Sequence, residues 1–294
     1  MRGLNDIEPR LEFEPERLRL GSLDCWRCAP DGPPVGPPLV LVHGFGGGVW
    51  GWANFQTHFA RRGHCSYAIE LPGHGQTELE SMRYCSVETY ALYIAPVLKD
   101  IGPCVVVGHS MGGLIVQKLA ETQSQLGYVL MASAPPWHMF RRAYAPFWKL
   151  LLRHPWRHVL RPLTGNSMQL DDVLQDELVN HRIPADQRPV IGGLDVPDSG
   201  RASVQMVAGL VSVDETRVAS PCLVIAGEDD RLIPFSEQRR LAEKYGCPLQ
   251  AYDRGHMLII EDGWEDVADG LLAWVASLTD QPDAQPADQT AIAG

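Results

Sequence analysis

Cys104-Val105-Val106-Val107-Gly108-His109-Ser110-Met111-Gly112-Gly113-Leu114 runs from a four-residue apolar strand straight into a Gly-x-Ser-x-Gly turn and out into a helix that continues to Gln123. Glycines on both sides of the serine suit a strand-to-helix turn too tight for side chains, with the serine itself in a strained backbone conformation. Such a turn lifts the Ser110 hydroxyl above the sheet. It also aims the amide of Met111, at the helix N-terminus, towards whatever carbonyl is bound there. The bland alternative is a Gly-rich strand–helix turn without chemistry.

Outward from this segment, strands and helices alternate. On the N-terminal side lie Leu39-Val40-Leu41-Val42, a helix over about 50–62 with Trp52, Phe55 and Phe59 on one side, a strand from Cys65 to Leu71, and a helix from Val87 to Asp100. On the C-terminal side Tyr128-Val129-Leu130-Met131 is a strand. Apolar runs without polar alternation predict strands buried on both faces, hence a parallel sheet between helices. Residues 11–30 predict two short strands. Between about 135 and 215 the alternation stops, and it resumes with strand Cys222-Leu223-Val224-Ile225, helix 236–245, strand 248–253 and helix 263–278. This divides the chain into a core of 1–134 and 216–279, a helical cap of 135–215, and a tail of 280–294 rich in Asp, Ala, Pro and Gln that reads as disordered.

Three loops follow three of these strands. His43-Gly44-Phe45-Gly46-Gly47-Gly48 is a loop that can bring a backbone amide, that of Phe45, to face the Met111 amide and complete an oxyanion hole; the bland alternative is a flexible loop. No Gly-Lys-Ser/Thr follows these glycines, which argues against a phosphate loop. Gly227-Glu228-Asp229-Asp230 places two acids at a strand end, where parallel sheets present ligands. Either could be a solvated turn residue instead. Arg254-Gly255-His256-Met257 puts a histidine on the same edge, completing the chain order Ser, Asp, His.

With HGFGGG at 43–48, ELPGHGQT at 70–77, GHSMGG at 108–113, GEDDRLIP at 227–234 and GHMLIIE at 255–261, the chain resembles the α/β-hydrolase superfamily. The likeness is to its small lipase, esterase and acyltransferase-like members with a helical cap. It covers about 20–135 and 218–278 and departs at Glu70 and Thr77, where the family more often has Asp and Ser. The resemblance implies Ser110 as nucleophile, His256 as general base and Asp230 as the acid that orients it, aligned through Gly227, Ile233 and Pro234, with Asp229 as the alternative. It implies an acyl-enzyme mechanism without cofactor or metal.

The cap should choose the substrate. Trp137, Phe140, Tyr144, Phe147, Trp148 and Leu151 form an apolar stripe, while Pro136 to Leu163 carries six basic residues and no acid. That describes a helix covering the active site, or a basic lid touching lipid surfaces. Both readings predict a hydrophobic ester substrate, with Gly44, His109, Met139, Phe140, Trp148 and Met206 as substrate-binding candidates. A carbon–carbon bond hydrolase, or a thioesterase or cyclase, would use the same triad. A ligand-binding protein without turnover could keep the same fold.

A net charge of −11 argues against nucleic acid as a partner. The first twenty residues hold no apolar signal core, and no apolar run approaches the ~20 residues of a membrane span, so the expectation is a cytoplasmic protein with reduced thiols. Cys104 and Cys222 read as small core residues. Cys25-Trp26-Arg27-Cys28 has redox spacing, but on a strand its two thiols would point to opposite faces.

Overall fold

The structure, a computed structural model, describes residues 15–75, 85–139, 175–188, 191 and 196–279. Its centre is one eight-stranded sheet: β1 (Glu16–Leu20), β2 (Leu23–Cys28), β3 (Leu39–Val42), β4 (Ser66–Ile69), β5 (Val105–His109), β6 (Gly127–Met131), β7 (Cys222–Gly227) and β8 (Leu249–Tyr252). Their spatial order is β1-β2-β4-β3-β5-β6-β7-β8. The β1–β2 and β2–β4 pairs are antiparallel and every other pair is parallel.

Helices cover both faces, as parallel strands buried on both sides require. Along each central strand, alternate residues enter two separate apolar clusters. Val40, Val42, Val106, Leu130 and Val224 face one side, with α2 (Val87–Ile101), α3 (Met111–Ala120) and α5 (Phe235–Tyr245). Leu39, Leu41, Val105, Val107, Val129 and Ile225 face the other, with α1 (Ala53–Arg61) and α6 (Trp264–Thr279). The two-residue period of a strand thus feeds two cores from one apolar run.

The predicted helix over 50–62 begins as a 3-10 turn at Val49–Trp52 before α1. Trp52, Phe55 and Phe59 are fully buried, as their spacing requires. Ser86 accepts the Thr89 amide at 3.1 Å and so caps α2. Cys104 and Cys222 are core residues, and Cys25 and Cys28 are both buried as free thiols.

Most of the cap candidate lies outside the described residues, Phe140, Trp148 and nearly all of the basic stretch among them. The described parts are a 3-10 turn at Trp137–Met139, a π-helical turn at Gln175–Val179 and α4 (Gly200–Val207). The last part is rooted in the core. Ala202, Val211 and Val213 join the first cluster, Gln205 accepts the Val87 amide at 2.9 Å, and Ser199 donates to the Cys85 carbonyl at 2.6 Å. Residues 280–294 also lie outside the described part. Among the described residues, no helix is long and apolar enough to cross a membrane.

Register carries the fold to the site. Val42 stands opposite Gly108, His109 opposite Met131, and Met131 opposite Ile225. The loops after β3, β5, β7 and β8 therefore leave the sheet along one edge.

Candidate active site

Ser110 occupies the turn between β5 and α3 with φ 55° and ψ −117°. A non-glycine residue in that region costs about 1–3 kcal/mol, so the surroundings must hold it there. They do so from both sides. The Ser110 amide donates to the Met131 carbonyl at 3.0 Å, and the Ser110 carbonyl accepts the amides of Gly113 and Ala134 at 3.0 Å each. The two flanking glycines are needed for space. A Cβ on Gly108 would strike the Gly112 carbonyl, and one on Gly112 would strike the carbonyls of Val42 and His43.

The serine meets the two other loops through hydrogen bonds. Ser110 Oγ lies 3.0 Å from His256 Nε2, and His256 Nδ1 lies 2.8 Å from Asp230 Oδ2. Asp230 Oδ1 accepts the amides of Leu232 and Ile233, both at 2.9 Å. Both side chains are buried. With Nδ1–H donating to the carboxylate, Nε2 is free to accept from the serine hydroxyl. Asp229 stands apart: its carboxylate is 41% exposed and faces His181 at 3.1 Å, Arg182 at 3.6 Å and Arg231 at 3.9 Å. Of the two acids, the one that touches His256 is Asp230.

Two further histidines are buried beside this chain of bonds and are neutral. His43 donates from Nδ1 to the Gly44 carbonyl at 2.9 Å and accepts the Leu71 amide on Nε2 at 3.3 Å. His109 donates from Nε2 to the His256 carbonyl at 2.9 Å. Burial pushes both down to about 3, reinforced at His43 by His74 and at His109 by His256. His109 therefore steadies the backbone that carries His256.

A small open cleft lies over Ser110. Among the described residues it is lined by His43, Gly44, Phe45, His109, Ser110 and His256, together with Trp50, Val179, Asn180, Leu232 and Ile259. Gly44, His109 and Phe45 line it, and Met111 begins α3 directly beneath, with its amide among the unpaired first-turn donors of a helix. Met139 and Met206 do not line it. Met139 is buried in the first apolar cluster and Met206 packs against that cluster, because the segments that carry them root into the core. Among the described residues, no group of three or more His, Cys, Asp or Glu side chains gathers to hold a metal ion.

Sequence reasoning missed Trp50, Asn180 and Leu232, since apolar or amide residues near a loop carry no signal of their own. It also missed Glu261, which is buried and accepts the amides of Gly255 and Met257 at 2.6 and 2.9 Å, bracing both neighbours of His256. Burial raises the Glu261 carboxyl and these two amides partly offset the rise. Its position five residues after His256 in GHMLIIE was the available signal.

The sequence model of the alpha/beta hydrolase family matches residues 39–270, and the chain belongs to that family. Among curated proteins it is 34% identical over 93 residues to protein phosphatase methylesterase 1 of Bos taurus, covering 30% of this chain and 24% of the relative. The chain thus matches about a quarter of that relative's length. It is 28% identical over 226 residues to the pimeloyl-[acyl-carrier protein] methyl ester esterase of Aeromonas salmonicida, covering 71% and 84% of the two chains. Among solved structures, a thermophilic esterase from Thermogutta terrifontis shares the fold with a TM-score of 0.66 at 18% identity, covering 90% of this chain and 99% of that one. A monoacylglycerol lipase from Paleococcus ferrophilus does so with a TM-score of 0.63 at 22% identity, covering 86% and 99%.

Proposed function

We propose that this α/β-hydrolase is a serine esterase that cleaves the carboxylic ester of a small hydrophobic molecule through an acyl-enzyme on Ser110. The observation that carries the reading is the continuous hydrogen-bonded chain from Ser110 Oγ through His256 to Asp230 at a cleft. His256 Nε2 takes the hydroxyl proton as Oγ attacks the ester carbonyl, and Asp230 stabilises the imidazolium that results. The oxyanion of the tetrahedral intermediate is held by the amides of Phe45 and Met111, each such donor contributing roughly 3 kcal/mol in comparable enzymes. His256 returns the proton to the leaving alcohol, and a water activated by the same nitrogen then releases the acid.

Residues 135–215 serve in this reading as the cap that sets substrate choice, with the apolar lining of Val179, Leu232 and Ile259 favouring an uncharged chain. The methyl ester esterase named above, and the methylesterase whose match covers 30% of this chain, favour a small alcohol as leaving group.

The deciding experiment is labelling with a fluorophosphonate and peptide mapping, alongside hydrolysis of methyl and p-nitrophenyl esters of graded acyl length. A single adduct on Ser110 with turnover is expected. An adduct without ester turnover would move the reading to a thioester or a carbon–carbon bond. Absence of any Ser110 adduct in a folded sample would refute it.

A further inference from the structure

Phe45, the proposed oxyanion donor, is followed by Gly46, whose φ is +70°. Both backbone groups of Gly46 are tied to one short segment far away in sequence. Val196 donates its amide to the Gly46 carbonyl at 3.0 Å, and Gly46 donates its own amide to Asp198 Oδ2 at 3.0 Å. Asp198 is completely buried. Its Oδ1 accepts the Tyr90 hydroxyl at 2.8 Å and the Ser199 amide at 2.6 Å, and its Oδ2 lies 3.4 Å from His74 Nε2, itself buried. The His74 ring meets the His43 ring edge-on at 4.7 Å, and His43 in turn holds the Gly44 carbonyl.

The loop that carries Phe45 is therefore gripped on each side of it, at Gly44 by neutral His43 and at Gly46 by Asp198. Burying a carboxylate is costly unless it is paired and fully hydrogen-bonded, and here it has an imidazole, a hydroxyl and two amides. Burial pushes Asp198 up, but the charge of His74 and these donors outweigh it and hold the carboxyl below its ordinary value. Burial likewise pushes His74 down, and Asp198 outweighs it and holds His74 above the ordinary histidine value. The charges matter for chemistry as well as geometry. An unpaired Asp198 would set a negative charge beneath a loop that must stabilise an oxyanion, and a protonated His74 offsets it.

We propose that Asp198, held by His74 and Tyr90, is a positioning residue that fixes the oxyanion loop through Gly46, so that the 196–199 segment sets the geometry in which Phe45 meets the developing charge. This rests on the serine-esterase reading above.

The test uses the full chain with Asp198→Asn, His74→Gln and Tyr90→Phe, measuring kcat and KM on a short p-nitrophenyl ester, the Ki of a matching trifluoromethyl ketone, and the melting temperature. Loosening a transition-state donor lowers kcat with little change in KM, and weakens a tetrahedral adduct in step. For Asp198→Asn the expected loss in kcat is about tenfold or more, with KM within about twofold and Ki rising in proportion. His74→Gln should fall between Asp198→Asn and Tyr90→Phe, since Tyr90→Phe removes one bond and leaves the charge pair. A folded Asp198→Asn enzyme with wild-type kcat, or one that loses kcat while Ki stays fixed, overturns the proposal. Should Asp198→Asn not fold, wild-type kcat and Ki in both other variants overturn it. Wild-type protein that neither hydrolyses esters nor labels at Ser110 would instead remove the esterase reading, and this proposal with it.

Discussion

Replacing Asp230 by Asn tests the orientation of His256 at a single atom. In the native arrangement Asp230 Oδ1 accepts two backbone amides, Leu232 and Ile233, while Oδ2 accepts from His256 Nδ1. An asparagine has one oxygen and one NH₂. Keeping its oxygen on the two amides retains two hydrogen bonds and turns its NH₂ towards Nδ1. The imidazole then accepts on Nδ1, carries its proton on Nε2, and presents a donor to Ser110 where a base is needed. The loss should match that of the equivalent substitution in serine proteases, about 10⁴-fold in kcat or about 5.5 kcal/mol. KM should change little, since Asp230 lies behind the histidine. Asp229→Asn, at a half-exposed acid that faces His181, Arg182 and Arg231 and does not touch His256, should cost less than about twofold. Steady-state hydrolysis of a p-nitrophenyl ester, with melting temperature as control, reads both. If Asp230→Asn keeps activity within about tenfold of wild type, or Asp229→Asn proves the worse of the two, the tautomer argument is wrong.

Ser110→Ala and His256→Ala, which remove the proposed nucleophile and base, should each lower ester hydrolysis by several orders of magnitude, and near-normal turnover in either would sink the esterase assignment. Gly112→Ala drives a methyl group into the carbonyls of Val42 and His43. It should cost about 3 kcal/mol or more and lower the melting temperature by roughly 6–12 °C; an unchanged melting curve would mean the elbow is looser than described. Because burial takes His43 and His109 down to about 3, nitrogen-detected NMR at pH 5 should find both neutral, the proton on Nδ1 of His43 and Nε2 of His109. Their folded values lie below the unfolded value near 6.5, so each contributes stability that is complete above that pH and is lost as pH falls, about 2 kcal/mol apiece by pH 5. A titration midpoint near 6.5 for either ring would contradict this. Burial raises the Cys25 thiol to about 12 and Cys28 to about 11, so iodoacetamide at pH 8 should leave both unmodified in the native protein, and rapid alkylation or a Cys25–Cys28 disulfide would restore a redox reading.

The fold was legible in the sequence because its signals are local. Val105-Val106-Val107 can be apolar on both faces only if both faces are buried, and the structure divides those side chains between two clusters. The approach of Ser110, His256 and Asp230 was legible for a related reason. Each follows a strand of the parallel part of the sheet, and parallel strands deliver their C-terminal ends to one edge whatever lies between them. Met139 and Met206 were misplaced as cleft residues because a methionine in a predicted cap has the same pattern whether it faces a cavity or the core. Burial alone separates the two, and burial there depends on where residues 196–213 root.

Asp198 was invisible for a deeper reason. It occurs in a turn-rich stretch as one acid among several, 124 positions from the His74 it pairs with and 152 from the Gly46 amide it accepts. Only the closed structure turns it from a solvated turn residue into a fully buried anion. Its partner His74 is the histidine of ELPGHGQT, and Tyr90 sits on α2 one turn past the Ser86 cap. Three elements unrelated in sequence thus place their polar groups on one carboxylate, and that carboxylate holds the residue after Phe45. Ser110 and His256, the proposed nucleophile and base, stand on loops whose strands determine where they go. The oxyanion loop follows a strand as well, but β3 fixes only its start. Six residues with four glycines have no preferred path, so the loop's far side must be fixed from outside, and the described contacts at Gly46 come from residues 196–198. On this argument an insertion between β6 and β7 would set substrate choice and would also complete the catalytic geometry of the loop opposite it.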